Sequence, residues 1–183
     1  MIGVETILSF WFEEIDRSKW FAKDTAFDDV IRSRFEGSYR DAVSGAFDSW
    51  CDSGKGCVAM CIVLDQFPRN MYRDRPEAYA SDEQALAVTR DALARGRDLE
   101  YGIGSDFRHF LYMPLMHSER LADQRQCVEL IRTRLSDAKV LQYAEQHLSV
   151  IERFGRFPHR NAILGRNSTP EERDFLKSPD AYF

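Results

Sequence analysis

The apolar residues of this chain recur at three-and-four spacing and almost never alternate, which limits the fold to packed helices. Ile7, Phe10, Trp11 and Ile15 share one helical stripe, and Phe27, Val30, Ile31 and Phe35 repeat it after an acidic start at Asp24-Thr25. The pattern continues through Tyr39, Val43 and Phe47, weakened by Gly37 and Gly45, since a glycine costs up to about 1 kcal/mol in a helix interior. Ser53-Gly54-Lys55-Gly56 reads as a loop before a buried helix from about Cys57 to Gln66, which Pro68 stops by disfavouring helical geometry at Phe67. Ser81 with Gln84 forms a capping box for a helix through Ala85, Leu86, Thr89 and Leu93 that ends at Gly96. Ser105 caps a helix from Asp106 to about Met116. Leu121, Val128, Ile131 and Leu135 mark the next, and Val140, Leu141, Ala144, Leu148 and Ile151 another, carried to about Phe154. Thr169-Pro170-Glu171-Glu172 starts a short terminal helix with an N-cap, a first-turn proline and a glutamate three after the cap. The expectation is an all-α fold whose short connections favour antiparallel neighbours.

Residues 1–183 are expected to form one domain, with thirteen Phe and three Trp enough for a large aromatic core. A net charge of −5, with Arg scattered among Asp and Glu, argues against nucleic acid, whose backbone needs clustered positive charge. The N-terminal residues Met1-Ile2-Gly3-Val4-Glu5 show neither a basic start nor a cleavable apolar run, and no stretch reaches the roughly 18 apolar residues of a membrane span. A cytoplasmic protein with no membrane partner is expected. Of the cysteines, Cys57 and Cys61 share a helix face and Cys51 and Cys127 stand apart; the pair's spacing can hold a metal, but small buried thiols in a reducing compartment are the favoured reading.

Two variants of one phrase, Leu64-Asp65-Gln66-Phe67-Pro68-Arg69-Asn70 and Gly155-Arg156-Phe157-Pro158-His159-Arg160-Asn161, each follow a helix with an aromatic-proline step and then offer Arg and Asn. In the first, the Asp65 carboxylate faces the negative end of a helix dipole, a penalty of roughly 0.3 to 1 kcal/mol that Arg69 or Arg73 would offset. Asp65, Arg69, Asn70 and Tyr72 either line a site or tie the turn to its neighbours. A third segment, Phe107 to Glu119, places Arg108, Tyr112 and Glu119 near one helix face and His109, Met113 and His117 on another. Pro114 blurs that register, and marks either a kink or a boundary with Ser118 as the following cap. His117 titrates near neutrality, and Glu119 or Asp65 can orient it for proton transfer; a structural role and metal ligation are the alternatives. No Gly-x-Ser-x-Gly or His-Glu-x-x-His spacing is present, so no metal or cofactor is assigned. Phe157 to Asn167 brings His159, Arg160, Asn161 and Arg166, a set suited to carboxylate or phosphate.

Phe10-Trp11-Phe12, Asp65 to Arg73, Phe110-Leu111-Tyr112-Met113-Pro114-Leu115-Met116-His117-Ser118-Glu119 and Phe157 to Asn161 resemble the bacterial family called domain of unknown function 924, from near Ile7 to about Leu176. The resemblance implies a tetratricopeptide-like fold, antiparallel helix pairs stacked in a right-handed superhelix, and implies no activity. No clean 34-residue period is visible.

Two functions remain open from the residues. One is a module whose pocket, formed by Asp65, Arg69, Asn70, Tyr72, Arg108, Tyr112, His117, Glu119, His159, Arg160 and Asn161, binds a small anionic molecule or a peptide carboxylate. The other is a hydrolase or isomerase with His117 as acid-base group, Glu119 or Asp65 as its orienter and Arg69 holding the substrate. Trp20, Phe21, Tyr182 and Phe183 are expected either to meet a partner chain or to close the ends of the fold.

Overall fold

A computed structural model describes residues 2–178 of the chain. The fold is all-helical, with no strand among the described residues. It divides into two compact units: residues up to Arg73 with Glu77–Pro114, and Asp74–Pro76 with the residues from Leu115 onward.

In the first unit, α1 (Val4–Ser9) widens into a π-helical turn at Phe10–Glu14. The second helix, α2 (Thr25–Val43), starts where Asp24 accepts the Phe27 amide at 3.1 Å, runs through the exposed Gly37 and ends ahead of Gly45 at φ 84°. The third, α3 (Gly54–Cys61), begins inside the predicted loop, because the Ser53 hydroxyl accepts the Gly56 amide at 3.1 Å. Its glycines serve close approach rather than flexibility: a Cβ on Gly56 would lie 1.8 Å from the Trp50 carbonyl oxygen, and one on Gly54 2.4 Å from that of Arg97.

Pro68 does not stop the chain's helical course. A π-helical turn at Ile62–Gln66 hands α3 on to α4 (Phe67–Met71), with the proline near its start. Pro68 carries no N–H, so the Leu64 carbonyl four residues earlier lacks its usual α-helical donor, and the buried Ser81 hydroxyl supplies one at 2.6 Å. The expected capping box therefore does not form on α5 (Asp82–Ala94): Ser81 makes no cap bond, and Gln84 Nε2 donates instead to the Val43 carbonyl at 3.0 Å. Further on, α6 (Ser105–Met116) keeps Pro114 inside the helix, which decides between the two expectations for that residue. The core is aromatic, with Phe35 stacked on Phe67 at 4.9 Å and Phe10 tilted against Phe35 at 4.7 Å. Trp20 belongs to it and not to the surface: its ring meets Phe110 edge-on at 4.9 Å and its Nε1 donates to the Trp11 carbonyl at 2.9 Å. Phe21 is 63% exposed, while Tyr182 and Phe183 lie outside the described residues.

In the second unit, α7 (Leu121–Leu130) and its π-helical extension Ile131–Leu135 pack on α8 (Ala138–Phe154). Gly155 ends α8 in the left-handed conformation at φ 69°, its amide bonding the Ile151 carbonyl at 2.8 Å. The final described helix, α9 (Pro170–Phe175), has the predicted capping box: Thr169 Oγ1 accepts the Glu172 amide at 3.1 Å and Glu172 Oε2 accepts the Thr169 amide at 2.7 Å. Val150, Ile151 and Phe157 form a core onto which Phe154 and Phe175 pack. No helix among the described residues is long and apolar enough to cross a membrane.

Candidate functional site

The residues singled out by sequence fall into two groups, one in each unit. In the first unit, the π-helical turn carries Asp65 to the head of α4, where its buried carboxylate accepts from Gln66 Nε2 at 2.5 Å and pairs with Arg69 Nη1 at 3.0 Å. Arg69 also forks onto Asp82 at 2.9 and 3.1 Å, so one guanidinium joins α4 to the start of α5. Burial works against the Arg69 charge, but Asp65 and Asp82 outweigh it and hold the cation. One residue on, Asn70 donates to Asp28 Oδ1 at 2.8 Å, and Arg73 forks onto both oxygens of the same carboxylate at 2.8 and 2.7 Å, joining α4 to α2. The Tyr72 hydroxyl donates to Glu36 at 3.0 Å. Arg108 Nε donates to the Asp98 carbonyl at 2.9 Å and the Tyr112 hydroxyl to the Asp98 carboxylate at 2.6 Å, so the expected shared face of Arg108 and Tyr112 is turned onto one buried acid. Apart from the Gln66–Asp65 bond inside the π-helical turn, these bonds are ties between neighbouring segments.

The second group gathers around Phe157. Its ring lies 5.6 Å from that of His147 on α8 and 5.6 Å from that of His159, and the Arg160 guanidinium sits over its face at 4.5 Å. His117, just past α6, brings its ring to 6.3 Å from His147. Three of the chain's four histidines and a buried arginine therefore share this locality. The proline step explains the arrangement locally: Phe157 is extended at φ −89° and ψ 107°, and Pro158 opens a 3-10 turn that presents His159 and Arg160.

The electrostatics are clearest at His147. His147 is nearly buried and its pKa is pushed down to about 3, first by burial and then by the positive charge of His117; the Tyr143 carbonyl opposes this, and Arg160 and His159 add to the depression. His147 is thus neutral at ordinary pH. Because a carbonyl only accepts, Nδ1 is the donor in the 2.7 Å contact with Tyr143, which leaves Nε2 as the acceptor nitrogen.

Glu119 sits beside this locality, bound to other groups. Arg166 forks onto its two oxygens at 2.6 and 2.9 Å, and the Phe157 amide donates to Oε1 at 2.8 Å. Burial raises the Glu119 pKa, but these donors outweigh it and keep the carboxyl ionised below its ordinary range. Arg166 Nε also donates to Asn161 Oδ1 at 2.9 Å, and Asn161 Nδ2 donates to Ser168 at 3.1 Å and to Glu172 at 3.3 Å. Glu172 in turn accepts a two-point pair from Arg156 at 2.6 and 2.8 Å, which does most to lower its pKa to about 2. Asn161 is thereby a buried joint in a chain of charged bonds. Arg166, read from sequence with His159, Arg160 and Asn161 as suited to an anion, instead holds Glu119; His147 and Glu172 lie outside the sequence candidates, and His147 sits in an amphipathic helix where spacing marks it only as a core position.

Among the described residues, no three His, Cys, Asp or Glu side chains gather as the ligands of one metal ion. An open surface hollow of about 400 Å³ in the first unit is lined by Val43, Gly45, Met60, Leu64 and Val88 among others, and by none of the candidate site residues.

The family described as bacterial protein of unknown function (DUF924) matches residues 7–180. The solved structure of a protein of unknown function from Agrobacterium tumefaciens is similar at 38% sequence identity with a TM-score of 0.89, covering 95% of this chain and 96% of that one. No curated protein matches.

Proposed function

The chain belongs to the DUF924 family of bacterial proteins, and from that premise we propose that its second unit binds a small anion or a peptide carboxylate against the Phe157 locality. The observation that carries this reading is the gathering of His117, His159 and Arg160 round the neutral His147 and the Phe157 ring. A partly buried guanidinium attracts an anion and holds it more strongly than an exposed charge would, because screening is weaker there. A planar guanidinium at Arg160 and imidazoles at His117 and His159 are the group types that recognise carboxylate or phosphate. The first-motif residues Asp65, Arg69, Asn70 and Tyr72 are read as helix ties that shape the first unit. A cytoplasmic, reducing location suits the free cysteines and forms part of the same proposal.

The competing enzyme reading has weaker support. Its orienting carboxylate, Glu119, has both oxygens held by Arg166 and one also by the Phe157 amide, while Asp65 is clamped by Arg69 and Gln66 in the first unit. Calorimetric titration with inorganic phosphate, and with a short peptide as free acid and as amide, tests the binding reading. Saturable heat with phosphate or the free acid, weakened at least about tenfold by His159→Gln and unchanged by His109→Gln, is expected. The absence of saturable heat with every one of these probes overturns it.

A further inference from the structure

Three of the cysteines lie in one part of the first unit, and two of them are placed to react with each other. Cys51 is half-buried in the 3-10 turn Asp48–Asp52, and Cys57 is buried in the opening turns of α3. The chain between them doubles back sharply: the Ser53 amide bonds the Trp50 carbonyl at 3.3 Å, and the Cys57 amide bonds the Ser53 carbonyl at 3.0 Å. Gly56 makes this possible, since any side chain there would run into the Trp50 carbonyl, so the Trp50–Cys51 peptide lies directly against α3. The Cys57 sulfur ends 3.5 Å from the Cys51 carbonyl oxygen, so the two cysteines lie side by side.

We propose that Cys51 and Cys57 are a redox-active dithiol that a hydroperoxide converts to an intramolecular disulfide and a dithiol reductant restores. Cys51 is the attacking sulfur. It is the more accessible of the two, and the neighbouring Cys57 thiol, with a smaller contribution from Arg95, holds its thiol below the ordinary range against the opposing effects of burial, Asp91 and Asp48. Cys57 is pushed up by the neighbouring Cys51 and by burial, so it keeps its proton until needed. In the first step the Cys51 thiolate attacks one peroxide oxygen: an S–O bond forms, the O–O bond breaks, and the departing hydroxide leaves as water after taking a proton. Cys51 is then a sulfenic acid, oxidised by two electrons, and the peroxide is reduced. In the second step the Cys57 sulfur attacks the Cys51 sulfur: the S–S bond forms, the S–O bond breaks, and hydroxide leaves with the Cys57 proton as a second water. Two thiols and one hydrogen peroxide thus give one disulfide and two waters. Cys61 and Cys127 are excluded as starting points, because both are buried and burial pushes their thiols well above the ordinary value.

The test is hydrogen peroxide added in small excess to the whole reduced protein, followed by tryptic mass mapping. Trypsin cuts after Lys55, between the two cysteines, so a disulfide appears as two joined peptides, and because the second carries both Cys57 and Cys61, fragmentation between Val58 and Met60 assigns the bond to one or the other. The expected result is that joined pair, lost on treatment with dithiothreitol, forming at least about tenfold faster than any oxidation of Cys127. The Cys57→Ser variant is expected to stop at a Cys51 sulfenic acid that a cyclic 1,3-dione traps, and Cys51→Ala to yield no joined pair. A wild-type protein that gives no Cys51–Cys57 pair, that joins Cys51 to Cys61 instead, or that oxidises Cys51 no faster than Cys127 overturns the proposal.

Discussion

Arg166 holds Glu119 by two guanidinium nitrogens at 2.6 and 2.9 Å and, through Nε, reaches Asn161 Oδ1 at 2.9 Å. One side chain therefore fixes the segment after α6 and the loop after Phe157 in a single geometry. Removing it leaves a carboxylate only about a quarter exposed, with the Phe157 amide as its remaining donor among these bonds. Arg166→Ala is expected to cost about 2 kcal/mol, less than a fully buried pair because both groups keep some water. Urea unfolding followed by circular dichroism measures it, and Arg166→Lys, which keeps the charge without the fork, is expected to recover only part of the loss.

The Pro68–Ser81 relation makes a separate prediction. Ser81→Ala leaves the Leu64 carbonyl without the hydroxyl that bonds it, a cost of about 1 to 2 kcal/mol. Replacing Pro68 with Ala in the same chain restores a backbone N–H four residues beyond Leu64, so the double variant is expected to be more stable than Ser81→Ala alone. A double-mutant cycle of unfolding free energies checks the coupling. Additive effects would show that the hydroxyl and the proline act independently.

His147 predicts how stability depends on pH. Its pKa lies near 3 in the folded protein against an ordinary value of 6.5, so between these limits the unfolded chain binds the proton more readily. The contribution is fully present above about pH 6.5 and is lost as pH falls toward 3, with a slope of about 1.4 kcal/mol per pH unit from this group. Glu172, held near 2 against an ordinary value of 4.5, adds a second loss below about pH 4.5. His147→Leu is expected to flatten the pH 4.5 to 6.5 part of the profile and leave the lower part in place. Urea midpoints measured across this range test both windows.

These elements also show what the sequence could convey. The Thr169 cap and the Gly155 stop follow rules that act within one turn, so the chain states them outright. Ser81 obeyed the same local rule but was drawn away by a carbonyl left open 17 residues earlier, an effect that no window around Ser81 contains. The glycines of the Ser53–Gly56 segment suggested a loop because their low helix propensity is visible and the Trp50 and Arg97 carbonyls that require them are not. The candidate site was legible as residue types: His117, His159 and Arg160 stand in recognisable phrases. Their meeting at His147 was not, because a histidine inside an amphipathic helix looks like any other buried position until α8 is placed against its neighbours.

The Gly56 close approach predicts a steep penalty for a small change. Gly56→Ala places a methyl group 1.8 Å from a backbone oxygen, which cannot be relieved by moving a flexible side chain. A loss of about 3 kcal/mol or more is expected, well beyond the propensity gain of up to about 1 kcal/mol from replacing a helical glycine. A thermal unfolding scan distinguishes the two, since a raised midpoint would mean that the Trp50 peptide does not lie on α3.

The most direct measurement is a phosphate titration followed through the four histidine side-chain resonances by NMR. A bound anion stabilises the imidazolium, so His117 and His159 are expected to shift along saturating curves with one shared dissociation constant and a raised pKa, while His109 in the first unit stays in place. Shifts of all four histidines that rise linearly with phosphate, or no shift at His117 and His159, would contradict an anion site at Phe157.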